Sequence, residues 1–218
     1  MLTCECGLTY VSGIDEDEKQ HEIWHDEYLH GATLHDMHAL SVISSVAVYP
    51  LVVVDAAIPR EARFRLSKAA YVAQRATPDY PAGYDGTISE ADEKLFLARD
   101  GDRAIGVVLT ASDEGYWRLA WTHEGTAQLL DRNPYRGPRQ KIGRVWVAKA
   151  YRRRSIGSLM VRAVVEFLGY EVSDIGWELP LTEDGSALLQ KLVPSKWWGR
   201  GDSFALQNTL DAPRRTSL

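Results

Sequence analysis

Cysteine is almost missing from this chain: there are two in 218 residues, Cys4 and Cys6, with one residue between them. So close a pair cannot staple a disulfide framework, which points to a reducing, intracellular setting. Long apolar runs are missing too. The most apolar stretch, 42–58, is broken by Ser44, Ser45, Pro50 and Asp55. A membrane span needs about 20 predominantly apolar residues, so buried strand fits this stretch better and no membrane association is expected. The start, Met1-Leu-Thr-Cys-Glu-Cys, lacks the charged-then-apolar layout of a signal peptide. A cytoplasmic protein is expected, with the nucleus open if the source is eukaryotic. An excess of positive charge is the third absence. Twenty-five Lys and Arg against 30 Asp and Glu leave a net charge of −5, which argues against wholesale nucleic-acid binding and suits a cationic substrate. There are no internal repeats and no long low-complexity segments.

What the chain does have is centred on residues 143–169. Val145 and Val147 alternate as strand residues do, a basic turn follows at Arg152-Arg153-Arg154, and Leu159, Val161, Val164, Val165 and Leu168 recur at helical spacing. A basic loop feeding a helix N-terminus is suited to an anion, because the first-turn N–H groups have no partner in their own helix and the dipole favours negative charge there. Ser155 and Gly157 keep the side chains small where a pyrophosphate would approach. The same residues also fit a helix whose arginines face solvent.

The amino-terminal residues carry a second constellation. Cys4 and Cys6 precede the acidic run 15–18 and then His21 and His25. An i, i+4 pair sets both imidazoles on one helix face, and two thiolates with two histidines form the tetrahedral N/S set that zinc prefers. Two buried thiols and two surface histidines are the alternative. A DNA-reading helix needs a basic face, whereas this one carries Glu18, Glu22, Asp26 and Glu27, so a structural finger is expected and direct nucleic-acid binding is not. His30, His35 and His38 are expected at the surface.

The central residues resemble a known family. Arg152-x-x-Ser155-x-Gly157 is similar to the (Arg/Gln)-x-x-Gly-x-(Gly/Ala) pyrophosphate loop of GNAT N-acetyltransferases, with Ser155 in place of the first glycine. Arg144-Val-Trp-Val and the following Arg-Arg-Arg-Ser-Ile-Gly-Ser resemble the sister-chromatid cohesion acetyltransferases more closely. That branch carries an amino-terminal finger reading Cys-x-x-Cys-Gly and His-x-x-x-His; here the first spacing is one residue shorter. The resemblance implies an α/β GNAT fold, a mixed and mostly antiparallel central sheet flanked by helices, with a small CCHH zinc finger at residues 1–40. The acetyltransferase domain would span 41–210 and a flexible tail 211–218. It implies that the backbone of Val145, Trp146 and Val147 pairs with the pantetheine arm of acetyl-CoA. Arg153, Arg154, Ser155, Ile156, Gly157 and Ser158 would take the pyrophosphate, and Cys4, Cys6, His21 and His25 would hold Zn2+.

Along the chain, a strand pair broken at Pro50 is expected in 42–58, a helix over 60–74, and a loop over 77–86. A hairpin turning at Asp100-Gly101-Asp102 follows, then strands at 116–121 and 174–179, a helix at 184–192, and a closing strand at 202–207. Amine acetylation needs the thioester held, the ammonium deprotonated and the thiolate stabilised. The cohesion family places a carboxylate in Ser-Asp-Pro-Thr-Pro-Asp-Gly after the strand that follows the loop. Here the stretch reads Glu178-Leu179-Pro180-Leu181-Thr182-Glu183-Asp184-Gly185. Aligning on Pro180 puts Leu179 at the aspartate, and Glu178 one residue earlier, on the opposite side of a strand. The family's serine before the central strand is Gly143. Glu178 is the first candidate base, followed by His123, Glu124 and Asp184, with proton loss to bulk water as another route; no tyrosine follows Tyr170. The expected function is acetyl transfer to a primary amine, a protein lysine first and a small amine such as an amino sugar or antibiotic second. A CoA-binding module without turnover is the competing class.

Overall fold

The computed structural model describes residues 1–35, 37, 40–76, 92–131, 133–136, 139–179 and 181–201. Its elements are β1 (Leu2–Thr3), β2 (Thr9–Tyr10), α1 (Asp15–His30), β3 (Ala32–Thr33), β4 (Val42–Val46), β5 (Tyr49–Val54), α2 (Arg60–Leu66), α3 (Lys68–Arg75), β6 (Lys94–Asp100), β7 (Arg103–Asp113), β8 (Tyr116–Trp121), β9 (Ala127–Leu129), β10 (Arg139–Val147), α4 (Ile156–Phe167), β11 (Gly176–Glu178), α5 (Glu183–Leu192) and β12 (Lys196–Arg200). A 3-10 turn at Lys149–Tyr151 joins β10 to α4. This is a mixed α/β architecture. Two compact units divide the chain: Met1–Leu109 with Val145–Ala163, and Thr110–Arg144 with Val164–Leu218.

In the first unit the strand order is β4-β5-β6-β7 and then the end of β10, with β3 added antiparallel to β7. β5 is apolar on both faces, Leu51 to Val54 all being buried, because it is paired on both sides and packed above and below. One of those faces joins a hydrophobic core cluster. There Val52, Val54, Leu95, Leu97 and Trp146 meet the small-residue stripe Ala69, Ala70 and Ala73 of α3. On the other face Gly106 of β7 lies against Met160 of α4: a Cβ there would come within 2.5 Å of the Met160 sulfur. That close approach seats α4, and the loop before it, on the sheet.

Three expected boundaries move. The strand pair turns at Ala47, which has φ 56°, and Pro50 lies inside β5 opposite Ser45. Proline is accommodated because the ladder to β6 begins only at Leu51, so no N–H is needed from residue 50. The helix over 60–74 is two, α2 and α3, meeting at Ser67, whose hydroxyl donates to the Phe64 carbonyl at 2.7 Å; such a bond back to the preceding turn competes with helix continuation. The strand at 174–179 contracts to Gly176–Glu178. The loop 77–86, the closing strand at 202–207, the tail 211–218 and His38 lie outside the described residues.

In the second unit the order is β10-β11-β12-β8-β9, the first two pairings parallel and the last two antiparallel. One sheet face is apolar, with Trp197 and Leu119 opposite one another and fully buried and Trp121 stacked on Trp197 at 5.1 Å. The other face carries Lys141, Glu178, Trp198, Arg200, Arg118 and Tyr116. No described helix is long and apolar enough to cross a membrane.

Candidate functional site

The cysteine and histidine side chains converge. The ligand atoms of Cys4, Cys6, His21 and His25 all lie within 4.8 Å of one another, with Cys4 Sγ 3.2 Å from His25 Nδ1. Zinc bonds of about 2.0–2.3 Å in a tetrahedron separate ligand atoms by roughly 3.3–3.8 Å, so the four fit one ion after small shifts. His21 Nε2 is buried and has no hydrogen-bond partner, as expected of a nitrogen whose partner is a metal. Tyr10 stacks flat on the His21 ring at 4.1 Å and holds it in place. The short Cys-x-Cys spacing is served by a tight turn in which the Gly7 N–H donates to the Cys4 carbonyl at 3.0 Å. Gly7 has φ +83°, and a Cβ there would strike the Arg75 carbonyl oxygen at 2.4 Å. α1 is tied to its unit by Arg103 to Asp26 at 2.8 Å and by Lys68 to the buried Glu27. The acidic run at its start is the helix's first turn, where negative charge offsets the dipole; Glu18 accepts from the Gly13 N–H at 2.9 Å and Asp17 from that of Val11 at 3.0 Å.

The basic loop has an unusual backbone. Arg153 has φ 62° and Ser155 φ 61°, both left-handed. Such residues alternating along a turn direct successive N–H groups into one concavity that receives anions. α4 opens immediately after, so the N–H groups of Ile156, Gly157 and Ser158 add the donors of a helix N-terminus. Arg153, Arg154 and Ser155 are exposed. Arg152 turns inward instead: its Nε donates to the Val147 carbonyl at 2.9 Å and its guanidinium lies 5.5 Å from the Tyr28 ring centroid. It braces the loop, and it leaves the Val147 carbonyl already engaged. Gly157 stands over Val145 and Val147, whose methyl groups would be 3.8 and 3.6 Å from a Cβ at that position. Trp146 points the other way, into the core, 5% exposed; only its main chain can meet a ligand. The pairing of β10 with β11 ends at Ile142↔Trp177, before Val145. Lys149, in the turn before the loop, pairs with Glu5, the residue between the two cysteines.

In the second unit, Glu178 and Leu179 part company. Leu179 is buried against the bare backbone of Gly199, and its N–H continues the ladder to the Arg200 carbonyl at 2.7 Å. Glu178 lies on the charged face and is paired with the Lys141 ammonium. Lys141 also binds Asp113 at 2.9 Å, and Arg200 reaches the same Asp113 oxygen at 3.1 Å. Burial works against the charge of Asp113, but the Lys141 ammonium, the Glu114 N–H and Arg200 together hold its carboxyl below the usual range. Tyr116 is fully buried beside them and gives its hydroxyl proton to the Arg139 carbonyl at 2.6 Å. Burial first, then the neighbouring Asp113 charge, raises its pKa far above the ordinary tyrosine range. Asp113, Lys141 and Arg200 were not singled out from the sequence; alternation along β10 and β12 puts Lys141 and Arg200 each on a strand face, but no local signal sets Asp113, at the end of β7, beside them. The other candidate bases are not assembled with this cluster: His123 and Glu124 are exposed in a turn, and Asp184 is exposed in the first turn of α5. Thr182 caps that helix, accepting from the Gly185 N–H at 3.1 Å.

No curated protein matches this chain. Among solved structures it is similar to the xEco2 acetyltransferase domain bound to a K105-CoA conjugate, at 16% identity and TM-score 0.60, covering 75% of this chain and 98% of that one. A second structure of the xEco2 acetyltransferase domain is matched at 18% identity and TM-score 0.54, over 75% of this chain and 96% of that one. These likenesses are of fold. The profile of the acetyltransferase (GNAT) family matches residues 61–171, a span that holds β6, β7, β10, the left-handed loop and α4. With half of its length under that profile, the chain belongs to the GNAT family and is an acetyltransferase that uses acetyl-CoA.

Proposed function

We propose that the chain transfers the acetyl group of acetyl-CoA to a primary amine, namely a lysine of another protein. The observation that carries the reading is the loop: two left-handed residues followed at once by a helix N-terminus, a cradle whose donors are main-chain groups. In this reading Arg153 to Ser158 bind the pyrophosphate, and the backbone of Val145 and Trp146, with the N–H of Val147, pairs with the pantetheine arm. Glu178 accepts the ammonium proton, and the incoming lysine takes over the ion pair that Lys141 makes with it. Acetyl transfer then forms the amide bond, breaks the thioester C–S bond, and releases CoA as the thiol. A lysine acceptor is supported by the likeness to a domain whose structure holds a K105-CoA conjugate. It is supported as well by the cysteine–histidine cluster, which matches that branch's finger in ligand types and order. Residues 1–40 serve as the finger and 41–210 as the acetyltransferase domain. The chemistry of the donor set and the orphaned His21 Nε2 fit zinc in a structural role, with all four ligand positions taken by protein.

Release of free CoA thiol from acetyl-CoA, measured against lysine peptides, polyamines and amino-sugar antibiotics, tests the acceptor. Turnover with peptides alone supports the reading. Turnover with a small amine alone replaces it by small-molecule acetylation, and tight acetyl-CoA binding with no turnover on any acceptor leaves a binding module. Gly157→Glu brings a carboxylate into the cradle and is expected to abolish acetyl-CoA binding; unchanged affinity sinks the loop assignment.

A further inference from the structure

The charged face of the second unit's sheet holds more positive charge than its own residues neutralise. The register sets Lys141, Gly176, Trp198 and Arg118 in one row across β10, β11, β12 and β8, and Glu178, Arg200 and Tyr116 in the next row on the same face. Lys141 and Arg200 are balanced by Glu178 and Asp113. Arg118 and Arg139 are not: no carboxylate among the described residues forms an ion pair with either. Their guanidinium carbons lie 4.5 and 4.4 Å from the Trp198 ring centroid, and Arg139 is also 5.3 Å from that of Tyr135. A guanidinium stacked on a ring uses its flat face and keeps its edge, a fork of N–H donors, for a ligand in the plane. One edge N–H of Arg139 goes to the Asp174 carbonyl. Arg118 Nη1, Arg139 Nε and Trp198 Nε1 are buried and have no acceptor. The cluster therefore holds hydrogen-bond donors that its own described residues do not use. Burial weakens the hold of Arg118 on its proton; the nearby Asp174 charge opposes this and the Arg139 charge adds to it, and burial prevails.

We propose that this face docks an acidic peptide segment, whose Asp or Glu carboxylates bind the guanidinium edges of Arg118 and Arg139 beside Trp198. The proposal rests on the reading of a protein lysine as acceptor and adds its context: acidic residues close to that lysine. A carboxylate suits the face better than a nucleic-acid backbone. Two unbalanced cations match one or two carboxylates, whereas a run of phosphates would meet Asp113 and Glu178 on the same face and a chain of net charge −5.

The test is acetylation kinetics on paired lysine peptides, one flanked by Asp and Glu and the other by Asn and Gln at the same positions. The acidic peptide is expected to show a KM about tenfold lower, equivalent to about 1.4 kcal/mol, with little change in kcat and with the advantage shrinking as salt is raised. Arg118→Gln is expected to erase the difference, and Arg118→Lys, which keeps the charge but loses the fork, to retain part of it; a thermal melt establishes that each variant folds. Should Arg118→Gln not fold, the paired peptides and their salt dependence on the parent protein still decide. Equal KM for two peptides that are both acetylated overturns the docking surface and leaves the lysine reading standing. Turnover confined to small amines overturns both. Tighter, Arg118-dependent binding of a single-stranded oligonucleotide than of the acidic peptide overturns the choice of occupant.

Discussion

Ser155 carries a left-handed backbone that its side chain resists. For a residue with a Cβ that conformation costs roughly 1–2 kcal/mol, and strain of this kind persists where the surroundings impose it. The loop therefore demands the geometry that glycine supplies in most of the family's loops, and serine meets it under strain. Ser155→Gly is expected to keep acetyl-CoA affinity and to leave the protein as stable or about 1 kcal/mol more stable, the relief being offset in part by the entropy glycine loses on folding. A clear loss of stability in a melt would show that the hydroxyl has a structural task of its own. Glu178 is judged by kinetics: general-base catalysis is worth roughly 10²–10⁴-fold, so Glu178→Gln is expected to lower kcat at least about 100-fold with acetyl-CoA affinity unchanged. A kcat within a few-fold of the parent assigns the proton to bulk water. Asp113 makes a prediction about pH. Its folded pKa is depressed, so its charge contributes stability above its unfolded pKa of about 3.9 and loses that contribution as pH falls through the lower folded value. Asp113→Asn should therefore be less stable than the parent at neutral pH, and the gap should close in acid, below about pH 4.

At the scale of the element, β11 and α1 show how local rules are kept or waived. Gly176 stands between Lys141 and Trp198 in its row, and the Tyr116 ring fills the space it leaves: a Cβ there would lie 2.2 Å from Tyr116 Cε1. Tyr116 cannot retreat, being fully buried and bonded to Arg139. Gly176→Ala is expected to cost about 1–3 kcal/mol by overpacking, read as a fall in the denaturation midpoint. The opposite change is open at the start of α1. Ile14 occupies the N-cap with φ −109° and ψ 110°, the right backbone, but its apolar side chain is half exposed and accepts nothing. Ile14→Ser is expected to add about 1 kcal/mol. Serine is preferred to aspartate, because four acidic residues already crowd the first turn.

At the scale of the molecule, the first unit brings the cysteine–histidine cluster and the basic loop into one compact body. Glu5 lies between Cys4 and Cys6 and pairs with Lys149, and Tyr28 of α1 lies under Arg152. One zinc per chain is expected by metal analysis, and chelation should lower the melting temperature, because energy gained on binding at a folded site is folding energy. His21→Ala with His25→Ala should do the same and make the melt indifferent to chelator. A parent protein that carries no zinc would refute the finger.

The two constellations were legible because each is local. An i, i+4 histidine pair and a strand, basic turn and helix are written in contiguous residues, and their chemistry follows from spacing and from the unsatisfied donors at a helix start. The same local alternation already set Glu178 and Leu179 on opposite sides. What spacing along one strand does not contain is register, the choice of which residue lies beside which on the next strand. Only the packed sheet decided that Lys141, Asp113 and Arg200 gather around Glu178, that Arg118 and Arg139 meet over Trp198, and that Pro50 sits within a strand. These neighbours are up to 87 residues apart in the chain, as Asp113 and Arg200 are, and inter-strand hydrogen bonding and core packing, not local preference, bring them together.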